Sequence, residues 1–260
     1  MKPETPEHEK QRRELLDLID EHGLTAHRDA IAALLRPAIG LRTRAPVKAD
    51  LAVGGTRVGG QPDLPPGVAW PEGDDGPLLF VLQVHLAEVA ALDLEGRLPK
   101  DGLLVVFSDS WGRDVRVHHF AAGVELAPRA TPASSMHPAF RACGVDALAE
   151  LHLPPSESAF FESVHEVLES DERDAYHDDV WLTWRERQRP GSAGKAGIHQ
   201  LLGYAVAERY EAQAFDEEVL VGFDSDDRVA MEWGDVHCVW VLIRRDKLAE
   251  RAFGELHVEM

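Results

Sequence analysis

With 260 residues, 44% apolar and 28% charged, the chain is long enough to bury a sizeable core and has the ordinary composition of a globular protein. Its formal charge of −19, from 27 basic against 46 acidic residues, repels a phosphate backbone and argues against nucleic-acid binding, while it would steer a basic protein towards the surface. No run approaches the ~18 apolar residues of a membrane span, and the start Met1-Lys2-Pro3-Glu4-Thr5-Pro6 lacks the apolar stretch of a signal peptide, so a cytoplasmic protein without membrane contact is expected.

Residues 1–9 are polar and proline-bearing and read as a flexible tail, with a single domain over 10–260. From Glu9 to His22, Leu15, Leu16, Leu18 and Ile19 recur among charged residues near helical spacing. A second helix is expected from Ala26 to Leu35, stopped by Pro37, which makes 10–37 an N-terminal helical hairpin.

Beyond Ile39 short apolar runs are broken by glycine and proline. Leu78–Val84, Leu103–Phe107 and Val115–Phe120 read as strands, with a short helix at Leu86–Leu92. Strands this close together, without a helix after each, point to an antiparallel sheet. Helical texture returns from Pro154 to Gln188, where Phe160, Phe161, Val164, Val167 and Leu168 form one face and Tyr176, Trp181 and Trp184 belong to a second helix as core. Then come Ile198–Tyr204, Glu218–Phe223 and His237–Ile243 as strands, a short helix at Arg245–Arg251 and a last strand at Glu255–Val258. The expected fold is α+β, a mostly antiparallel mixed sheet with packed helices and the N-terminal hairpin. Both halves carry a strand-turn-strand unit beside a short helix, but no shared motif asserts an internal duplication.

Cys143 and Cys238 are far apart and lack Cys-x-x-Cys spacing, which reads as free thiols in a reducing compartment. The C-terminal strands flank a loop rich in carboxylates: Asp224-Ser225-Asp226-Asp227, then Met231-Glu232-Trp233-Gly234-Asp235. Upstream stand Gly59-Gly60-Gln61-Pro62-Asp63-Leu64-Pro65-Pro66 with Trp70-Pro71, the run Leu78-Leu79-Phe80-Val81-Leu82-Gln83-Val84, and His199-Gln200-Leu201-Leu202-Gly203-Tyr204. In their order and spacing these blocks resemble the YwqG-like family of uncharacterised bacterial proteins, over roughly residues 50–258. The resemblance implies an α+β fold, a bacterial cytoplasmic protein and no established activity. Ala205 stands where that family commonly has proline, and His237 where it commonly has glycine.

The candidate binding residues are Trp70, Gln83, His199, Asp224, Asp226, Trp233 and Asp235. Gly59-Gly60 and the prolines shape an approach loop that Trp70-Pro71 can pin to the sheet, and the loop can also wall a ligand cleft. A glutamine midway along an apolar strand, as Gln83 is, must be hydrogen-bonded if buried. Asp224-x-Asp226 starts like a calcium loop, but the sixth position is Val229 rather than glycine and the fifth is Arg228, so that motif is rejected. No metal is assigned, and an irregular divalent site or an acid/base pair with His199 stays open. His118 and His119 alternate across a strand and cannot readily share an ion. There is no Gly-x-Ser-x-Gly elbow, no His-Glu-x-x-His, no dinucleotide fingerprint and no phosphate loop, so no cofactor is assigned.

The leading expectation is a non-enzymatic protein that binds a basic protein partner, as an immunity or regulatory factor. The alternative is a small-molecule or divalent-metal-dependent enzyme with a pocket near Gln83, His199 and the Asp224–Asp235 loop. Nothing in the pattern fixes an oligomeric state.

Overall fold

The computed structural model describes residues 2–44, 51–135, 137–188, 197–206, 213–234 and 238–260. Ten strands form one sheet: β1 (Arg36–Thr43), β2 (Arg57–Val58), β3 (Leu79–His85), β4 (Leu103–Ser108), β5 (Val115–Phe120), β6 (Cys143–His152), β7 (His199–Leu202), β8 (Glu217–Asp224), β9 (Cys238–Arg244) and β10 (Leu256–Glu259). Their spatial order is β10-β9-β8-β7-β1-β6-β2-β3-β4-β5, and every neighbouring pair is antiparallel. With the helices packed on it, the expected α+β class holds. No helix among the described residues is long and apolar enough to cross a membrane.

The strand order contains a repeat. Exchanging β1–β5 for β6–β10, each with its counterpart, gives the same order read from the other end. The first strand of each half is swapped: β1 pairs with β7, and β6 pairs with β2. The detail agrees. Arg57 pairs with Gln83 in one half, as Gln200 pairs with Gly222 in the other. The register slips between Phe80 and Leu82, and again between Val219 and Val221. After β2 the chain turns through Gly59 and Gly60 at φ 66° and 80°; at the end of β7 it does so through Leu202 and Gly203 at φ 62° and 78°. The left-handed region suits glycine, so Leu202 holds it against its own sterics because the repeated geometry demands it.

One sheet face carries an apolar core that spans both halves, including Ile39, Val58, Leu82, Leu104, Leu201, Val221, Phe223 and Val241. The sheet curls over this core until its ends approach. His119 meets the Phe253 ring at 5.6 Å, and a Cβ at Gly112 would lie 2.5 Å from Val239. At this seam Arg97 and Arg245 both reach the carboxylate of Glu218, which is 2% exposed.

On the opposite face the N-terminal half is filled by Leu64, Phe80, Val105 and Phe107, while the C-terminal half is covered by helices. α1 (Pro6–Glu21) buries Leu15, Leu18 and Ile19, each contributing about 1.5–3 kcal/mol of hydrophobic stabilisation. It starts earlier than its apolar spacing indicates, because Thr5 caps it and Pro6 opens it. Near the start of the chain Lys2 Nζ donates to the carbonyls of Ala90 and Asp93. The hairpin's second member shrinks to a 3₁₀ turn, Thr25–His27, and α2 (Arg28–Ala32), since the chain leaves at Arg36 to enter the sheet. α3 (Leu86–Val89) follows β3, and α4 (Glu162–His165) precedes a continuous helical run of α5 (Ser170–Asp174), a π-helical turn (Ala175–Trp181) and α6 (Leu182–Arg187). The wider π turn allows adjacent Val180 and Trp181 both to face inward. α7 (Arg245–Ala249) leads from β9 to β10.

Candidate functional site

The turn after β8 is built around Asp226, which is 1% exposed. Its Oδ2 accepts from the Thr43 hydroxyl at 2.6 Å and lies 3.3 Å from His199 Nε2, while its Oδ1 accepts from the Arg228 backbone N–H at 2.8 Å. The backbone N–H of Asp224 donates to His199 Nδ1 at 3.2 Å, so Nε2 carries the proton that faces Asp226. Burial raises the Asp226 pKa, but hydrogen bonds from His199, Thr43 and Arg228 outweigh it and hold the carboxyl below its ordinary value. Asp224 closes the same turn by accepting from the N–H groups of Ser225 and Ile198. Trp233 is fully buried against Phe223 and Phe140, with ring centroids at 5.1 and 5.7 Å. Asp235 lies outside the described residues.

Gln83 belongs to a second buried network, in the other half. Its Nε2 donates to Asp63 Oδ2 and to the Gly55 carbonyl, both at 2.8 Å, and its Oε1 accepts from the Asp63 N–H at 2.9 Å. Arg57 pairs with the same Asp63 carboxylate, with side chains 6% and 0% exposed. Asp63 Oδ2 also accepts from the Gly54 N–H at 2.7 Å, so the network ties the approach loop to β2 and β3. Trp70 pins that loop further out: its indole N–H donates to the Leu78 carbonyl at 2.8 Å and its edge meets Phe107 at 5.3 Å.

The structure thus brings His199, Asp224 and Asp226 together, with Trp233 beneath them, and places Gln83 and Trp70 apart from them. Residues 140–143 join the two regions: Gly60 N–H donates to the Phe140 carbonyl, and Arg141 N–H to that of Val229. Among the described residues no three His, Cys, Asp or Glu side chains converge as a metal-ligand set. Cys143 is a buried thiol, and burial pushes its pKa up.

A cleft opens elsewhere, on the helix-covered face of the C-terminal half. Its walls are Trp181, Trp184 and Trp240, and its polar lining includes Glu150, His152, Arg185, Gln188 and Gln200. His152 Nε2 donates to Glu150 Oε2 at 2.9 Å. Two glycines make room. A Cβ at Gly40 would sit 2.1 Å from Glu150 Oε1, and one at Gly222 would sit 2.5 Å from Trp240. The cleft occupies the place that Arg57, Asp63 and Gln83 close in the other half, because Gln200 and Gly222 are the counterparts of Arg57 and Gln83. Sequence reasoning assigned Trp181 and Trp184 to core and passed over Glu150 and His152. The signal was available in their spacing, since residues two apart on a strand share a face.

The family model described as a domain of unknown function (DUF1963) matches residues 56–260. The chain belongs to the DUF1963 family. No curated protein matches it. The DUF1963 region leaves out α1, α2 and β1, yet β1 supplies Thr43 to Asp226 and Gly40 to the floor of the cleft.

Proposed function

We propose that this DUF1963 protein is YwqG-like and acts in the bacterial cytoplasm by binding a basic protein, as an immunity or regulatory factor, rather than by catalysis. One observation carries the reading. The acid–base groups of the C-terminal block, His199 and Asp226, are each 1% exposed and bonded to one another, while the chain keeps a formal charge of −19. A catalytic acid or base has to reach its substrate, whereas steering of a partner needs only net charge of one sign. The enzyme alternative asks Gln83, His199 and Asp224 to meet a ligand, and the internal bonds of Gln83 and His199 weigh against it.

The test exposes the immobilised chain to soluble proteins of a cell that carries its gene and elutes with rising salt. Retention of a basic protein at low ionic strength is expected. It should be released as the screening length falls from about 10 Å at 0.1 M to about 3 Å at 1 M. Recovery of no partner, or of an acidic one indifferent to salt, would contradict the reading.

A further inference from the structure

The seam between the two sheet ends holds a second cleft, of about 700 Å³, within the roughly 300–1,000 Å³ of small-molecule sites. Its lining comes from residues 96–101, 218 and 245–251. Four cations, Arg97, Lys100, Arg245 and Arg251, stand there against two carboxylates, Asp101 and Glu218, in a chain whose formal charge is −19. Screening over about 8 Å at physiological ionic strength leaves this local excess in control of the cleft. The four are not equivalent. Arg97 pairs with Glu218 and Glu95, and Arg245 with Glu218, so both are tethered. Lys100 and Arg251 are exposed, and neither pairs with a carboxylate among the described residues.

A fifth cation adds to the same field. The Arg36 guanidinium lies 4.1 Å from the Phe160 centroid and 4.6 Å from that of Tyr204, and its Nη1 is buried without a hydrogen-bond partner. Burial lowers its pKa, and the charges of Arg245 and Arg97 push the same way.

Both walls are fixed. On one, the Asp93 carboxylate accepts the backbone N–H groups of Gly96, Arg97 and Leu98 at 2.9, 3.1 and 2.8 Å. On the other, Arg251 ends α7 in the left-handed region at φ 58°, its N–H donating to the Leu248 carbonyl at 3.0 Å and that of Ala252 to Lys247 at 2.8 Å. Glycine ordinarily completes this helix-ending motif, because a Cβ crowds the backbone there. An arginine held in that conformation, with no carboxylate to pair with, points to a ligand.

The chemistry of that ligand follows from the lining. A phosphate monoester carries close to two negative charges and three acceptor oxygens, which matches two unpaired cations better than a carboxylate does. Leu98, Pro99 and Leu248 add an apolar surface beside them. We propose that the seam cleft binds a phosphate monoester with a short apolar body, Lys100 and Arg251 holding the phosphate while Leu98, Pro99 and Leu248 cover the body. This site takes an anion and needs no second protein, so it is independent of the partner reading above.

Isothermal titration calorimetry of the full chain, at about pH 8 and constant ionic strength, compares n-butyl phosphate with inorganic phosphate, butyrate and 1-butanol. n-Butyl phosphate should bind saturably, with dissociation in the millimolar range or tighter. Inorganic phosphate and butyrate should bind about tenfold more weakly and 1-butanol not at all. Lys100→Ala and Arg251→Gly should each weaken n-butyl phosphate about tenfold. Arg251→Gly should melt no lower than the parent, because glycine relieves the backbone, which separates a ligand contact from a structural role. No saturable heat up to about 10 mM, or equal affinity for any comparison compound, overturns the proposal. Unchanged affinity in Lys100→Ala or Arg251→Gly overturns it as well.

Discussion

Gln83 and Gly222 stand at equivalent points of the two half-sheets, the one paired with Arg57 and the other with Gln200. Where Gln83 completes a closed ionic network, Gly222 leaves space that the Trp240 ring and the Gln200 stem occupy. The repeat has therefore kept one position as a brace and opened its counterpart as a cleft.

The brace is tested by Asp63→Ala. Removing a fully buried carboxylate strands the Arg57 guanidinium and the Gln83 amide, at a cost of about 3–5 kcal/mol. Urea denaturation should show the midpoint falling accordingly. A loss within the error of the method would show that Arg57 rehydrates and that the network is not a brace.

Asp226 gives a pH signature. Its folded pKa is depressed, so its contribution is present above the unfolded value of about 4 and is lost as pH falls through the folded value. Asp226→Asn should lower the melting temperature near neutrality, by the equivalent of about 1–3 kcal/mol, and should flatten its fall below about pH 5. Parallel pH profiles for the two proteins would contradict this.

How far the sequence was legible depends on where each strand lies. Leu103–Ser108 and Val115–Phe120 announce themselves by β-branched, apolar runs. The central pair, β1 and β6, gives no such signal. β6 contains Ala147-Leu148-Ala149-Glu150-Leu151, a run of strong helix formers that is a strand only because β1 pairs along it, with β2 on its other edge. β1 starts with Arg36-Pro37 and is interrupted by Gly40, both unfavourable in isolation. The cleft stayed hidden for the same reason, since Gly40, Glu150 and His152 sit on those two strands. Gln83 was readable because a lone amide in an apolar run has to be bonded, and the structure supplies Asp63 and Gly55 as its partners.

The seam between the sheet ends depends on Glu218. Glu218→Gln leaves Arg97 and Arg245 facing one another without their shared carboxylate, and Arg245 is exposed enough to regain water. A loss of about 2 kcal/mol is expected, with faster hydrogen exchange in β10 and α7 than in β6. Uniform exchange across the sheet would show that the seam does not open separately.

Gly40→Ala places a methyl group on the Glu150 carboxylate. Displacing that side chain should cost about 1–3 kcal/mol in urea denaturation. An unchanged midpoint would mean that Glu150 turns aside freely.

The most direct measurement is the N–H spectrum of the chain during titration with n-butyl phosphate. The backbone amides of Gly96, Arg97, Lys100, Leu248 and Arg251 should shift together along one saturation curve, while the indoles of Trp181, Trp184 and Trp233, which do not line the seam cleft, hold still. Shifts centred on those indoles, or spread over the chain without saturation, would contradict the assignment of the seam cleft as the binding site.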